Sequence, residues 1–203
     1  MLDFFSIGFS CTAAHQIRRY TSLDSSYFFD WILTPAKALD FFSQPDDNFL
    51  CSGNWEIVGE IRLLDKGSGL MFMHDFAKIG STEAIDPERV ESHLETVKSK
   101  YVYLKQKTTD AINRAERCVL IRYENEIHSM EEAGARASQI RKIVGRLNSN
   151  VKIVIASINA EREESTSEFI FVKMRKGANW TGYDASWNRL FAEAEKVFEF
   201  RGR

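Results

Sequence analysis

The chain has 203 residues, with 27 Lys and Arg against 29 Asp and Glu and a formal net charge of −2. Its 44 % hydrophobic and 28 % charged residues describe a soluble globular protein, not a disordered segment, and a near-neutral charge offers no basic face for nucleic acid. No stretch approaches the roughly 18 consecutive apolar residues of a membrane helix, and no signal-type leader opens the chain, so the expectation is a cytoplasmic protein with no membrane association.

In chain order, Phe4, Phe5 and Ile7 form an apolar run that stops at Gly8. Ala13, Ala14, Ile17 and Tyr20 then recur at helical spacing, which reads as strand, turn and helix with Cys11 at the turn. Thr34 before Pro35 reads as an N-cap and first-position proline of a short helix carrying Ala36, Leu39 and Phe42 and ending near Pro45. Ile57 to Leu64 and Leu70 to Met73 flank the turn-forming Asp65 to Gly69, which predicts a hairpin with His74 and Asp75 directly after it. Asp86-Pro87 opens the longest helix. Its apolar stripe runs Val90, Leu94, Val97, Tyr101, Leu104 and on to Ala111 and Ala115, with Lys98, Lys105 and Lys107 expected in solvent.

Cys118 to Tyr123 is a continuous apolar run, Ser129 and Glu132 form a capping-box pair, Ala133, Ala137, Ile140, Val144 and Leu147 mark a helix face, and Val151 to Ile158 is a second apolar run. That is a βαβ unit with a buried parallel pair of strands. Glu161 to Ser167 reads as an exposed loop and Phe169 to Met174 as another strand. Trp187, Leu190, Phe191, Ala194, Val197 and Phe198 mark a closing amphipathic helix. The reading is an α/β fold: one domain over 1–203, three-layered, with a mostly parallel sheet and an added β-hairpin.

Cys11, Cys51 and Cys118 are odd in number and lack paired spacing, which argues against a disulfide framework and a zinc site. At the N-terminus of a helix, Cys11 gains from the positive end of the dipole, which favours thiolate. His74 at a strand end is a candidate base for it, and His15, four residues after Cys11, is a rival; His93 and His128 read as solvated. Asp30, among aromatic residues, needs a partner if buried, and could orient His74 or pair with Arg18. Arg18 and Arg19 could grip an anion, Glu124-Asn125-Glu126 lies where a metal could be held, and Trp180 beside a polar loop is a candidate sugar platform. With no phosphate-cradling loop, dinucleotide fingerprint or zinc spacing, no cofactor and no metal is expected.

Taken together, SIGFSC and TAAHQIRR (Ser6 to Arg19), the FFDW of Phe28 to Trp31 and the MHDF of Met73 to Phe76 resemble an uncharacterised bacterial family described as papain-like cysteine peptidases. The likeness covers roughly the first eighty residues well and the rest loosely, and Phe28 stands where members often carry Pro. The resemblance implies Cys11 as thiol nucleophile, His74 as base and an acid at Asp30 or Asp75. It also implies a papain-like α+β fold as the alternative to the α/β reading.

The function expected is a cysteine-dependent hydrolase or acyltransferase acting on a small-molecule, glycan or peptide substrate. Ser10, Arg18 and Trp31 would line its substrate site, and the amides from Gly8 to Thr12 would hold the oxyanion. Alternatives are an esterase-like enzyme using Ser10, a non-catalytic module binding a small anion or glycan among Arg18, Asp30, Trp31 and His74, and a scaffold protein. The heptad-like stripe of the long helix leaves a homo-oligomer open.

Overall fold

Near-continuous apolar runs commit four segments of this chain to strands that are buried on both faces. In the computed structural model, which describes residues 2–199 with side chains through Lys196, these are β1 (Asp3–Ser6), β6 (Cys118–Tyr123), β7 (Val151–Ser157) and β9 (Phe169–Lys173). The remaining elements are α1 (Cys11–Thr21), β2 (Ile32–Leu33), β3 (Trp55–Val58), β4 (Arg62–Asp65), β5 (Met71–Phe72), α2 (Val90–Arg114), α3 (Met130–Val144), β8 (Glu164–Ser165) and α4 (Asp184–Glu199). Val197 and Phe198, expected on the apolar face of the last helix, lie outside the described side chains.

The fold is α/β. A five-stranded sheet runs β1-β6-β7-β9-β8, parallel except for β8, and a four-stranded antiparallel sheet runs β2-β5-β4-β3. Period-two alternation divides the parallel sheet's side chains between two cores. Phe5, Leu120, Ile153, Ile155 and Phe171 pack with α2, α3 and the antiparallel sheet. Phe4, Val119, Ile121, Val154 and Val172 pack with Ala13 and Ile17 of α1 and Trp187, Leu190 and Phe191 of α4. The β6-α3-β7 crossover starts at the expected capping box, with Ser129 and Glu132 satisfying each other's backbone amides.

Local geometry departs from the sequence reading at five places. The apolar run Ile57 to Leu64 is two strands, β3 and β4, because Gly59 and Glu60 both adopt positive φ and turn the chain. The expected hairpin across Asp65 to Gly69 therefore joins β4 to β5 within a larger sheet. The helix after Thr34 is a 3₁₀ segment, Ala36–Ser43, with Pro35 at its N-cap, and the Thr34 hydroxyl is buried without a hydrogen-bond partner among the described residues. On α2 the buried stripe continues through Thr108 and Ile112 instead of Ala111, and a 3₁₀ turn, Pro87–Arg89, precedes it. Lys105 is not solvated: its side chain is 12 % exposed and its ammonium bonds Asp46 at 2.7 Å. Finally, Glu161 to Ser167 is not all loop, since Glu164–Ser165 adds a short antiparallel edge to β9.

Candidate active site

The segment between β1 and α1 is forced into an uncommon shape. Gly8 and Phe9 both have positive φ, which is rare for an aromatic residue and costs it strain. At Gly8 a Cβ would meet Thr34 at 2.7 Å, so only glycine fits. Below the turn, Arg122 of β6 donates from Nη1 to the Ile7 carbonyl at 2.8 Å and from Nη2 to the Thr34 carbonyl at 2.9 Å. Its Nε bonds Glu124 at 2.7 Å, and Arg136 of α3 completes the pair from the other side at 2.9 Å. Arg122 thus ties the Cys11 turn to the Thr34 segment and holds both against the strand ends. Both oxygens of Glu124 are taken by the two arginines, so Glu124 is not available as a ligand for the metal reading of Glu124-Asn125-Glu126. Among the described residues no cluster of three His, Cys, Asp or Glu is disposed to hold a metal.

Cys11 is the first residue of α1, where the backbone amides have no intrahelical acceptors. His74, 63 residues later, follows β5 and places Nε2 at 4.0 Å from the Cys11 Sγ, the outer limit of a thiol–imidazole hydrogen bond. Free enzymes often hold such pairs loosely and tighten them on substrate binding. The expected lowering of the thiol pKa is overturned: burial pushes the Cys11 thiol up, the Asp30 and Asp75 carboxylates add to the rise, and its own backbone amide opposes them. The rise favours the neutral thiol over the thiolate.

The two acids do not reach the imidazole. Asp75 has both oxygens occupied, by Lys100 at 2.5 Å and the Tyr101 hydroxyl at 2.9 Å, and so anchors the His74 segment to α2. Asp30 is buried, accepts the Tyr27 amide at 2.8 Å and lies 3.5 Å from Arg18. Burial pushes its carboxyl up to about 6 against the pull of the Tyr27 amide, Arg18 and Lys107. Neither makes a hydrogen bond or ion pair to His74 among the described residues, so the imidazole is held from other directions. Trp31 stands edge-on to it at 6.3 Å, and Arg18 lies over the Trp31 ring at 4.8 Å. Asp24, Ser26 and Asp30 occupy the Arg18 fork, which removes the free bidentate grip expected of it.

The rival groups are placed elsewhere. The Ser10 hydroxyl is shielded from solvent with no hydrogen-bond partner among the described residues, histidines included, and it does not cap α1. His15 packs its ring against Trp180 at 5.2 Å, and Arg19 reaches Gln16 and Asn188. Trp187 is core, while Trp180 is 59 % exposed. The Arg122 network escaped the sequence reading, although its signal was there: a charge inside an apolar strand needs a partner, and Glu124, two residues on, shares its face. No protein-family model, curated protein or solved structure matches this chain.

Proposed function

We propose that the protein is a cysteine-dependent hydrolase or acyltransferase, carried on one three-layer α/β domain spanning 1–203, with papain-like chemistry as the motif resemblance implies. The observation that carries the reading is the convergence of Cys11 and His74 at 4.0 Å at the N-terminus of a helix. His74 Nε2 takes the thiol proton as the sulfur attacks an acyl carbon, and the carbonyl electron pair moves to oxygen. The first amides of α1 face that oxyanion. Collapse expels the leaving group with the proton from His74 and leaves a thioester on Cys11. Water, or another acceptor in the acyltransferase case, then attacks with His74 again as base, and the free thiol returns.

A panel of activated esters and thioesters tests this. Turnover is expected to vanish in Cys11→Ala and to survive in Ser10→Ala, and His74→Ala should lose about 100-fold or more in the acylation rate. Loss of turnover in Ser10→Ala alone would transfer the reaction to the esterase-like alternative. A second reading, a non-catalytic binding module around Arg18, Asp30, Trp31 and His74, draws support from the raised thiol pKa of Cys11. It predicts no turnover in any variant.

A further inference from the structure

Lined by Ser10 and Thr12, the two neighbours of Cys11 in the chain, lies a cleft of about 280 Å³, between the ends of β6 and β7, the start of α1 and the 176–182 loop. In open parallel sheets ligands bind beyond the carboxyl ends of the strands, and this cleft occupies that place. It is a built feature. Thr12 Oγ1 donates to the Trp180 carbonyl at 2.7 Å, and Gln16 Nε2 donates to the Thr181 carbonyl at 2.7 Å and to Asp184 at 2.8 Å. The loop closes on itself where Gly177 meets Gly182: a Cβ on Gly177 would lie 2.3 Å from the Gly182 backbone.

We propose that this cleft is a subsite for a neutral, hydroxyl-bearing ring, a sugar unit of the substrate attacked at Cys11. The proposal rests on the hydrolase reading only in making that ring part of the substrate. Two shielded polar atoms at the cleft, Ser10 Oγ and Asn125 Oδ1, have no hydrogen-bond partner among the described residues. Leaving such groups unmet is costly, so a ligand that satisfies them gains. The Asn125 oxygen can only accept, so it calls for a donor, which an ionised carboxylate lacks and a hydroxyl supplies. Tyr123 lines the same wall beside Asn125. The Trp180 indole, 59 % exposed and braced by His15, offers a flat apolar surface next to these polar groups, as a sugar ring with one C–H face requires. Among the described residues Lys176 is the one charged residue lining the cleft, so they offer no cluster of the kind an anionic ligand would need. Its volume, just under the roughly 300–1,000 Å³ of drug-sized pockets, suits one ring better than a run of peptide.

The test is a calorimetric titration of the full Cys11→Ala chain with glucose, galactose, mannose, N-acetylglucosamine, N-acetylglycinamide as a peptide probe, and inorganic phosphate. At least one sugar should bind saturably; Trp180→Ala and Asn125→Leu should each weaken it about tenfold, Trp180→Phe should retain it, and Lys176→Gln should leave it nearly unchanged. The same sugar should shield Cys11 of the unmodified chain from alkylation. Absence of sugar binding, indifference to Trp180, no shielding of Cys11, or preference for phosphate or the peptide probe would each overturn the proposal. Sugar binding that depends on Trp180 in a chain whose Cys11 turns over no ester would sustain the subsite and remove the hydrolase reading.

Discussion

Asp30 carries a buried charge near the site, and replacing it should stabilise the protein. Its side chain is 5 % exposed, and its carboxyl titrates at about 6 against an ordinary 3.8. That difference makes the ionised form about 3 kcal/mol less favourable in the fold than in the unfolded chain, even with the Tyr27 amide, Arg18 and Lys107 drawing it the other way. Because the folded pKa is raised, the stabilising contribution is complete below the unfolded value, is lost as pH climbs through about 6, and is absent at pH 7. Asp30→Asn keeps an acceptor for the Tyr27 amide and removes the buried charge. It should raise the melting temperature at pH 7 by about 6–12 °C, the range for about 3 kcal/mol in a chain of this size, and the gap should close as pH falls toward 4. Paired thermal melts of the two proteins between pH 4 and 8 measure the difference directly, so the acid lability of other carboxylates cancels. An Asp30→Asn protein that melts lower than its parent at pH 7, or a gap independent of pH, would refute the reasoning. The Arg18 pair would then outweigh the burial of the charge.

Three further outcomes follow from the geometry. Iodoacetamide alkylation of Cys11, in a Cys51→Ser background with the fully buried Cys118 silent, should titrate above an ordinary thiol; Asp30→Asn, by removing a nearby negative charge, should move the midpoint down and speed the reaction at pH 8. Glu124→Gln should cost about 3–5 kcal/mol in urea denaturation, because Arg122 would stay buried without its counter-charge. Gly8→Ala should cost about 1–3 kcal/mol through its positive φ and the contact with Thr34 Cβ and Oγ1, with part of the loss recovered in a Gly8→Ala, Thr34→Gly double variant, which removes both of those atoms.

What could be read from the sequence followed the range over which each interaction acts. The β6-α3-β7 unit was legible because apolar runs, a capping box and a helical stripe are all local signals. The split at Gly59 was not, since one glycine within an apolar run signals a turn only when the next residue also takes positive φ, as Glu60 does. The Cys11–His74 approach could be guessed from chemistry, but the thiol's raised pKa could not: it depends on how deeply the sulfur lies and on two carboxylates brought in from distant segments. The partners of Asp75 come from α2, whose docking against the His74 segment no spacing rule supplies. Lys105 misled for a related reason, because Asp46 and the Gln44 carbonyl approach it across the fold.

The central claim is that Cys11 and His74 act as one unit, and intact-mass analysis after brief exposure to a chromogenic acetate ester tests it most directly. The account predicts a single acetyl group on Cys11, formed about 100-fold more slowly in His74→Ala and discharged on standing in the unmodified protein. Acetylation that ignores His74, falls on another residue or never forms would contradict it.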